Sequence, residues 1–139
     1  MSDPYDLHRF VDAQRSTYDS AVGELRAGRK TSHWMWFVFP QIAGLGRSQM
    51  SQRYAIDSLE EARAYLDHPV LGPRLLECCG ALLSHDGTSA EEILGGIDAT
   101  KLRSSMTLFL RASPETQTFQ QVLDRYFEGE ADRATIELL

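Results

Sequence analysis

Lysine, cysteine and long apolar runs are all scarce in this chain, and each scarcity removes a class of function. Its 139 residues hold two lysines, Lys30 and Lys101, against twelve arginines, and the formal net charge is −6. That balance argues against sequence-independent binding to DNA or RNA, which depends on many phosphate contacts. No nucleic-acid partner is expected. The two cysteines, Cys78 and Cys79, are adjacent. Neighbouring helical positions point about 100° apart, which suits neither a disulfide nor joint metal ligation. They read as buried, reduced thiols. The histidines His8, His33, His68 and His85 lack the spacing of a metal site, so no metal and no cofactor is expected. No apolar run approaches the ~18 residues of a membrane span, and no charged-then-apolar leader is visible. A cytoplasmic location without a membrane partner is the expectation.

With 42% hydrophobic and 24% charged residues, the composition is that of an ordinary globular protein. Apolar residues recur at helical spacing, and strict alternation is absent. The reading is all-α: one compact domain over residues 1–139, about eight short-to-medium helices, irregularly packed. Asp3 and Pro4 read as the cap and first turn of a helix that continues, kinked or straight, to Ala27, where Gly28 ends it. Ser32 reads as the cap of a helix from His33 to Phe39, stopped by Pro40, and Ser48 opens another. Ser58 with Glu61, and Thr88 with Glu91, read as capping boxes. His68 and Pro69 form a corner before a helix whose stripe includes Leu71, Leu75, Leu76, Cys79 and Leu82. Asp98 reads as the cap of a helix carrying Leu102, Ser105, Met106 and Phe109. Ser113 and Pro114 open the next, and Asp132 the last.

One stretch stands apart. Residues 31–48 hold both tryptophans, Trp34 and Trp36, with Phe37 and Phe39, and almost no polar face. A segment apolar all round is expected to be buried all round. Its polar edge, His33, Gln41 and Arg47, then either closes a core element or lines a hollow beside it. Gly44 and Gly46, followed by Arg47 and Ser48 at a helix start, could cradle an anion with backbone amides, a guanidinium and a hydroxyl; two glycines also serve as ordinary loop punctuation, the simpler reading. His33 could act as a general acid or base, or be held by one backbone hydrogen bond. Trp34 and Trp36 could stack on a ring, or pack the core. Lys101 and Ser104 form the other polar concentration, with Ser105 one helical turn from Lys101.

These residues resemble a known family. The run SHWMWFVFPQ (32–41) followed by GLGRS (44–48) is similar to the DUF1810 family of small bacterial proteins of unknown function. YAI (54–56), EARAYL (61–66), HPVLGPRL (68–75) and KLRSSMTLF (101–109) extend the likeness over nearly the whole chain. The resemblance implies an all-helical domain and carries no activity with it. Members sometimes bear the label calpastatin, the name of a largely disordered inhibitor, whereas this chain is patterned for a packed core. A fainter likeness, to NADAR N-glycosidases of ribosylated compounds, rests on the helix from Pro69 to Leu76 and its spacing to the later polar helix. The acidic and tryptophan-glycine motif of those enzymes is missing, so none of their catalytic residues can be placed.

Two functional readings follow. In the first, a pocket edged by residues 33–48 binds a small anionic nucleotide- or ribosyl-type ligand and, if the protein is an enzyme, hydrolyses a glycosidic bond. His33 would handle the proton there. Trp34, Trp36, Gln41, Gly44, Gly46, Arg47 and Ser48 would bind, with Lys101 and Ser104 opposite. In the second, the chain is a non-enzymatic interaction module, its tryptophan segment purely core.

Overall fold

The computed structural model describes residues 3–139, and the chain is all-α within them. Ten helices follow in order: α1 (His8–Arg15), α2 (Tyr18–Ala27), α3 (Met35–Val38), α4 (Gln49–Arg53), α5 (Leu59–Asp67), α6 (Leu71–Leu83), α7 (Ala90–Leu94), α8 (Gly96–Ala112), α9 (Gln117–Phe127) and α10 (Arg133–Leu138). None of them is long and apolar enough to cross a membrane.

The longest helix, α8, is the axis of the packing: α5, α7, α9 and α10 all lie against it. From Ser104 to Phe109 every residue of α8 is buried. Such a helix cannot spend a face on solvent, so its hydroxyls turn inward. Ser104 and Thr107 donate to the carbonyls of Thr100 and Arg103. These bonds to the previous turn satisfy polar groups without a solvent-facing side. Ser105 Oγ is the exception, buried without a partner among the described residues. On the far side, α6 packs between α2, α5 and α9. Cys78 and Cys79 are buried there as free thiols. Burial pushes the Cys78 thiol up to about 12 and that of Cys79 well above the ordinary value, so neither is a nucleophile at neutral pH.

Several local expectations shift by a few residues, each for an identifiable reason. Asp3 accepts from the amides of Leu7 and His8, at 2.9 and 3.0 Å. Residues 4–5 are consequently a turn, Asp6 adopts φ 50°, and α1 opens only at His8. Ser16 and Thr17 break the N-terminal helix in two, while Gly28 ends α2 at φ 78°, as expected. Ser58 caps α5 by accepting from the Glu61 amide, but the Glu61 carboxylate takes the Asp57 amide rather than closing the box; the reciprocal box belongs to Ser89 and Glu92, one residue beyond Thr88 and Glu91. Ser113, Glu115 and Thr116 bond to one another in a turn, so α9 starts at Gln117. Leu76 faces outward, and Cys78 takes the buried position on α6. Ser32 does not cap α3, and Asp98 does not cap α8; both carry bonds that build the site.

Candidate functional site

The tryptophan stretch is held from behind by a residue that local pattern gave no reason to notice. Glu24, on α2, accepts from the amides of Thr31 and Ser32 at 2.8 and 2.9 Å, and from the Trp34 indole at 2.9 Å. It also takes the Ser32 hydroxyl, which is why that side chain is unavailable as a cap. Burial alone would push the Glu24 carboxyl up. The Ser32, Thr31 and Trp34 donors outweigh it and hold the group at about 2. A carboxylate receiving several donors is stabilised in its charged form. With this clamp in place, Trp34, Met35, Phe37, Val38 and Phe39 are buried, and Trp36 is half-buried.

The next layer gathers the chain's scarcest residues. After Gly28 the backbone docks on α7, the Lys30 amide donating to Ile93 O at 2.7 Å. The Lys30 ammonium then lies 5.2 Å from the Trp34 ring centroid and 2.9 Å from Asp98 Oδ2. Lys101 mirrors it, 5.1 Å from the Trp36 centroid and 3.7 Å from Asp98 Oδ1. Both lysines and both tryptophans of the chain thus meet at one carboxylate. Asp98 sits within the first turn of α8, one turn below Lys101, which brings the two side chains to the same face. Cation–π contacts of this kind are worth about 0.5–2 kcal/mol, more as water is excluded.

Beyond Pro40 the chain pairs briefly with itself. Ile42 and Ile56 form an isolated parallel bridge, with Ala43 donating to Ile56 O and Ile56 to Gln41 O. The bridge closes a loop that carries the two glycines and α4. Gly46 packs so close that a Cβ there would lie 2.3 Å from Ser51 Cβ, and only glycine permits this approach. Ser48 caps α4, accepting from the Ser51 amide at 3.1 Å.

Between this loop and the start of α8 lies an open cleft of about 390 Å3, lined by Gln41, Leu45, Gly46, Ser51, Ile97, Thr100, Lys101, Ser104, Asp132 and Ala134. Of the residues singled out by sequence, the fold brings Gln41, Gly46, Lys101 and Ser104 to it, with Trp36 beneath Lys101. His33, Arg47 and Ser48 are exposed and do not line the cleft. Trp34 is wholly buried behind Lys30. Gly44 faces a smaller hollow of about 120 Å3 that shares Gln41, Gly46 and Ser51 with the cleft. Among the described residues no three acids, histidines or cysteines are grouped to hold a metal.

The cleft's carboxylate, Asp132, was legible only as a helix cap. It does cap α10, but Oδ2 alone carries that work: it accepts from the Thr135 amide, the Thr135 hydroxyl and Ser104 Oγ, at 3.0, 2.6 and 3.1 Å. Oδ1 receives none of these bonds. Its backbone amide donates to Thr107 Oγ1 at 2.8 Å, which seats the turn on α8.

Comparison with known proteins agrees with the fold. Residues 4–139 match the family model described as protein of unknown function (DUF1810). Among solved structures, the chain is similar to the conserved hypothetical protein Rv1873 from Mycobacterium tuberculosis. The two share 58% identity at a TM-score of 0.97, over 99% of this chain and 98% of that one. No curated protein matches.

Proposed function

The chain belongs to the DUF1810 family of proteins of unknown function, and from the chemistry of its cleft we propose that it binds a small ribosyl-type ligand carrying an anionic group. The observation that carries this reading is the meeting of Gln41 and Gly46 with Lys101, Ser104 and Asp132 around one hollow. Lys101 supplies a cation for the anionic group. One helical turn on, Ser104 bonds Asp132 Oδ2, leaving Oδ1 without a hydrogen bond among the described residues and able to accept from sugar hydroxyls. Gln41 offers an amide able to donate and accept. Leu45, Ile97 and Ala134 give apolar walls for the ring. A site of a few polar groups on an apolar lining is the usual form of a small-molecule pocket.

Thermal-shift titration with ribose 5-phosphate and a nucleoside 5′-monophosphate tests this. A ligand at ~100 times its dissociation constant stabilises by about 2.7 kcal/mol, a clear rise in Tm for a domain of this size. The rise is expected in the wild type and absent in Lys101→Met. Hydrolysis of an N-glycosidic bond in such a ligand would put Asp132, not His33, beside the sugar, because His33 lies outside the cleft. Base release from a nucleoside 5′-monophosphate, abolished in Asp132→Asn, is the assay for that step.

The second reading, a protein-interaction module, draws on Ile97, which is 77% exposed at the mouth of the cleft. A flat ligand screen, together with retention of a partner protein that Ile97→Lys loses, would favour it.

A further inference from the structure

Lys30 does not line the cleft, yet it takes the nearer share of the cleft cation's counter-ion. Its side chain is 9% exposed, and its ammonium is 2.9 Å from Asp98, against 3.7 Å for Lys101. Burying an ammonium this deeply is costly unless it is paired, and among the described residues no contact beyond Asp98 and the Trp34 face accounts for a charge at this point. The chain uses arginine twelve times elsewhere. Its only two lysines, compact point charges rather than planar forks, converge on one carboxylate.

The charges decide what that arrangement does. Two ammoniums and one carboxylate leave one positive charge. Because Lys30 is buried on the far side, that surplus is presented at Lys101, whose separation from Asp98 is beyond hydrogen-bonding length. Arg103, two residues on, is already committed to Glu130 and the Ala131 carbonyl. Without Lys30, Asp98 would be free to close on Lys101 and cancel its charge.

We infer that Lys30 is a positioning residue that holds Asp98 away from Lys101, so that the cleft presents a single uncancelled positive charge and takes ligands through one anionic group. The inference rests on the anion-binding reading above and deepens it: the ligand is a ribosyl compound with one phosphate or carboxylate at the Lys101 end. Asp132 across the cleft disfavours a second anionic group.

Two readouts test it, one with ligand and one without. Ribose 5-phosphate affinity should fall of order tenfold in Lys30→Met and rise by a similar factor in Asp98→Asn. It should return near the wild-type value in the double variant, which restores the charge count. Acetylation by acetic anhydride, followed by mass spectrometry at the two lysines, needs no ligand. Lys101 should react more slowly in Lys30→Met, where Asp98 closes on it, and faster in Asp98→Asn.

Weaker binding in both single variants would mark the cluster as merely structural and overturn the proposal. So would an unchanged Lys101 acetylation rate in all three. If the acetylation order holds while no variant binds ribose 5-phosphate, the hold of Lys30 on Asp98 stands and the ligand reading falls. Should Lys30→Met fail to fold, the gain of affinity in Asp98→Asn still decides, since damage to the packing does not tighten binding.

Discussion

Two polar hubs lie on this molecule, each beside a hollow, and they differ in what is left over. Arg9 donates to the carbonyls of Tyr5, Asp6, Arg53 and Ala55 and to the Glu61 carboxylate. A guanidinium has five N–H donors, and here all are committed, tying the N-terminal turn to the end of α4 and the start of α5. The hollow beside Arg9 is the larger of the two, about 490 Å3. Lys101, at the smaller cleft, has only a 3.7 Å approach to Asp98 and the face of Trp36. Saturation separates them better than size. Arg9 has nothing to offer a ligand, whereas Lys101 and Asp132 Oδ1 do.

Breaking the saturated hub should cost the most. Arg9→Ala leaves Glu61, 2% exposed, without its cation. Stranding a buried charge costs about 3–5 kcal/mol, to be read as a drop in urea midpoint at neutral pH. The equivalent change at the cleft, Lys101→Met, should cost less, about 0.5–2 kcal/mol from the lost contact with Trp36.

Glu24 supplies a second contrast, through pH. Its folded carboxyl is held at about 2 against an ordinary 4.5. A depressed value means that the stabilisation is complete above about 4.5 and is lost as pH falls from there towards 2. Glu24→Gln should lower stability at neutral pH by about 1–3 kcal/mol and flatten the acid limb of the Tm–pH curve. An unaltered limb would show that the clamp on residues 31–34 is not made by this carboxylate.

At the cleft the effects should fall on binding rather than folding. Asparagine caps helices about as well as aspartate, so Asp132→Asn keeps one oxygen for Thr135 and Ser104 but turns the open acceptor into a donor. Stability should change by under about 1 kcal/mol while affinity for ribose 5-phosphate is lost, measurable by calorimetry. Smallest of all, His33→Ala and Arg47→Ala should alter stability by no more than about 0.5 kcal/mol and leave affinity unchanged. A loss in Arg47→Ala would extend the site to the glycine loop.

The helical class and most helix ends were legible because they depend on local chemistry. Gly28, Pro40, Ser48, Ser58 and Asp132 act on neighbours within a turn. What escaped was decided by groups distant in sequence. Ser32 looks like a cap until Glu24 takes its hydroxyl. Asp98 looks like a cap until Lys30 arrives from the other side of α7. Glu61 looks like half of a capping box until Arg9 closes over its carboxylate and buries it. The meeting of residues 41–46 with 97–104 was equally beyond reach, since nothing local specifies which loop covers the start of α8. One signal was available: both lysines and both tryptophans are rare, and Lys30 and Trp34 stand four residues apart.

Of the two lysines, Lys101 and not Lys30 is expected to meet the ligand. With two lysines in the chain, a spectrum of the protein labelled with carbon-13 at the lysine ε position carries one signal for each. Titration with ribose 5-phosphate should move the Lys101 signal in a saturable way and leave Lys30 nearly still. Two unmoved signals, or a response confined to Lys30, would contradict it.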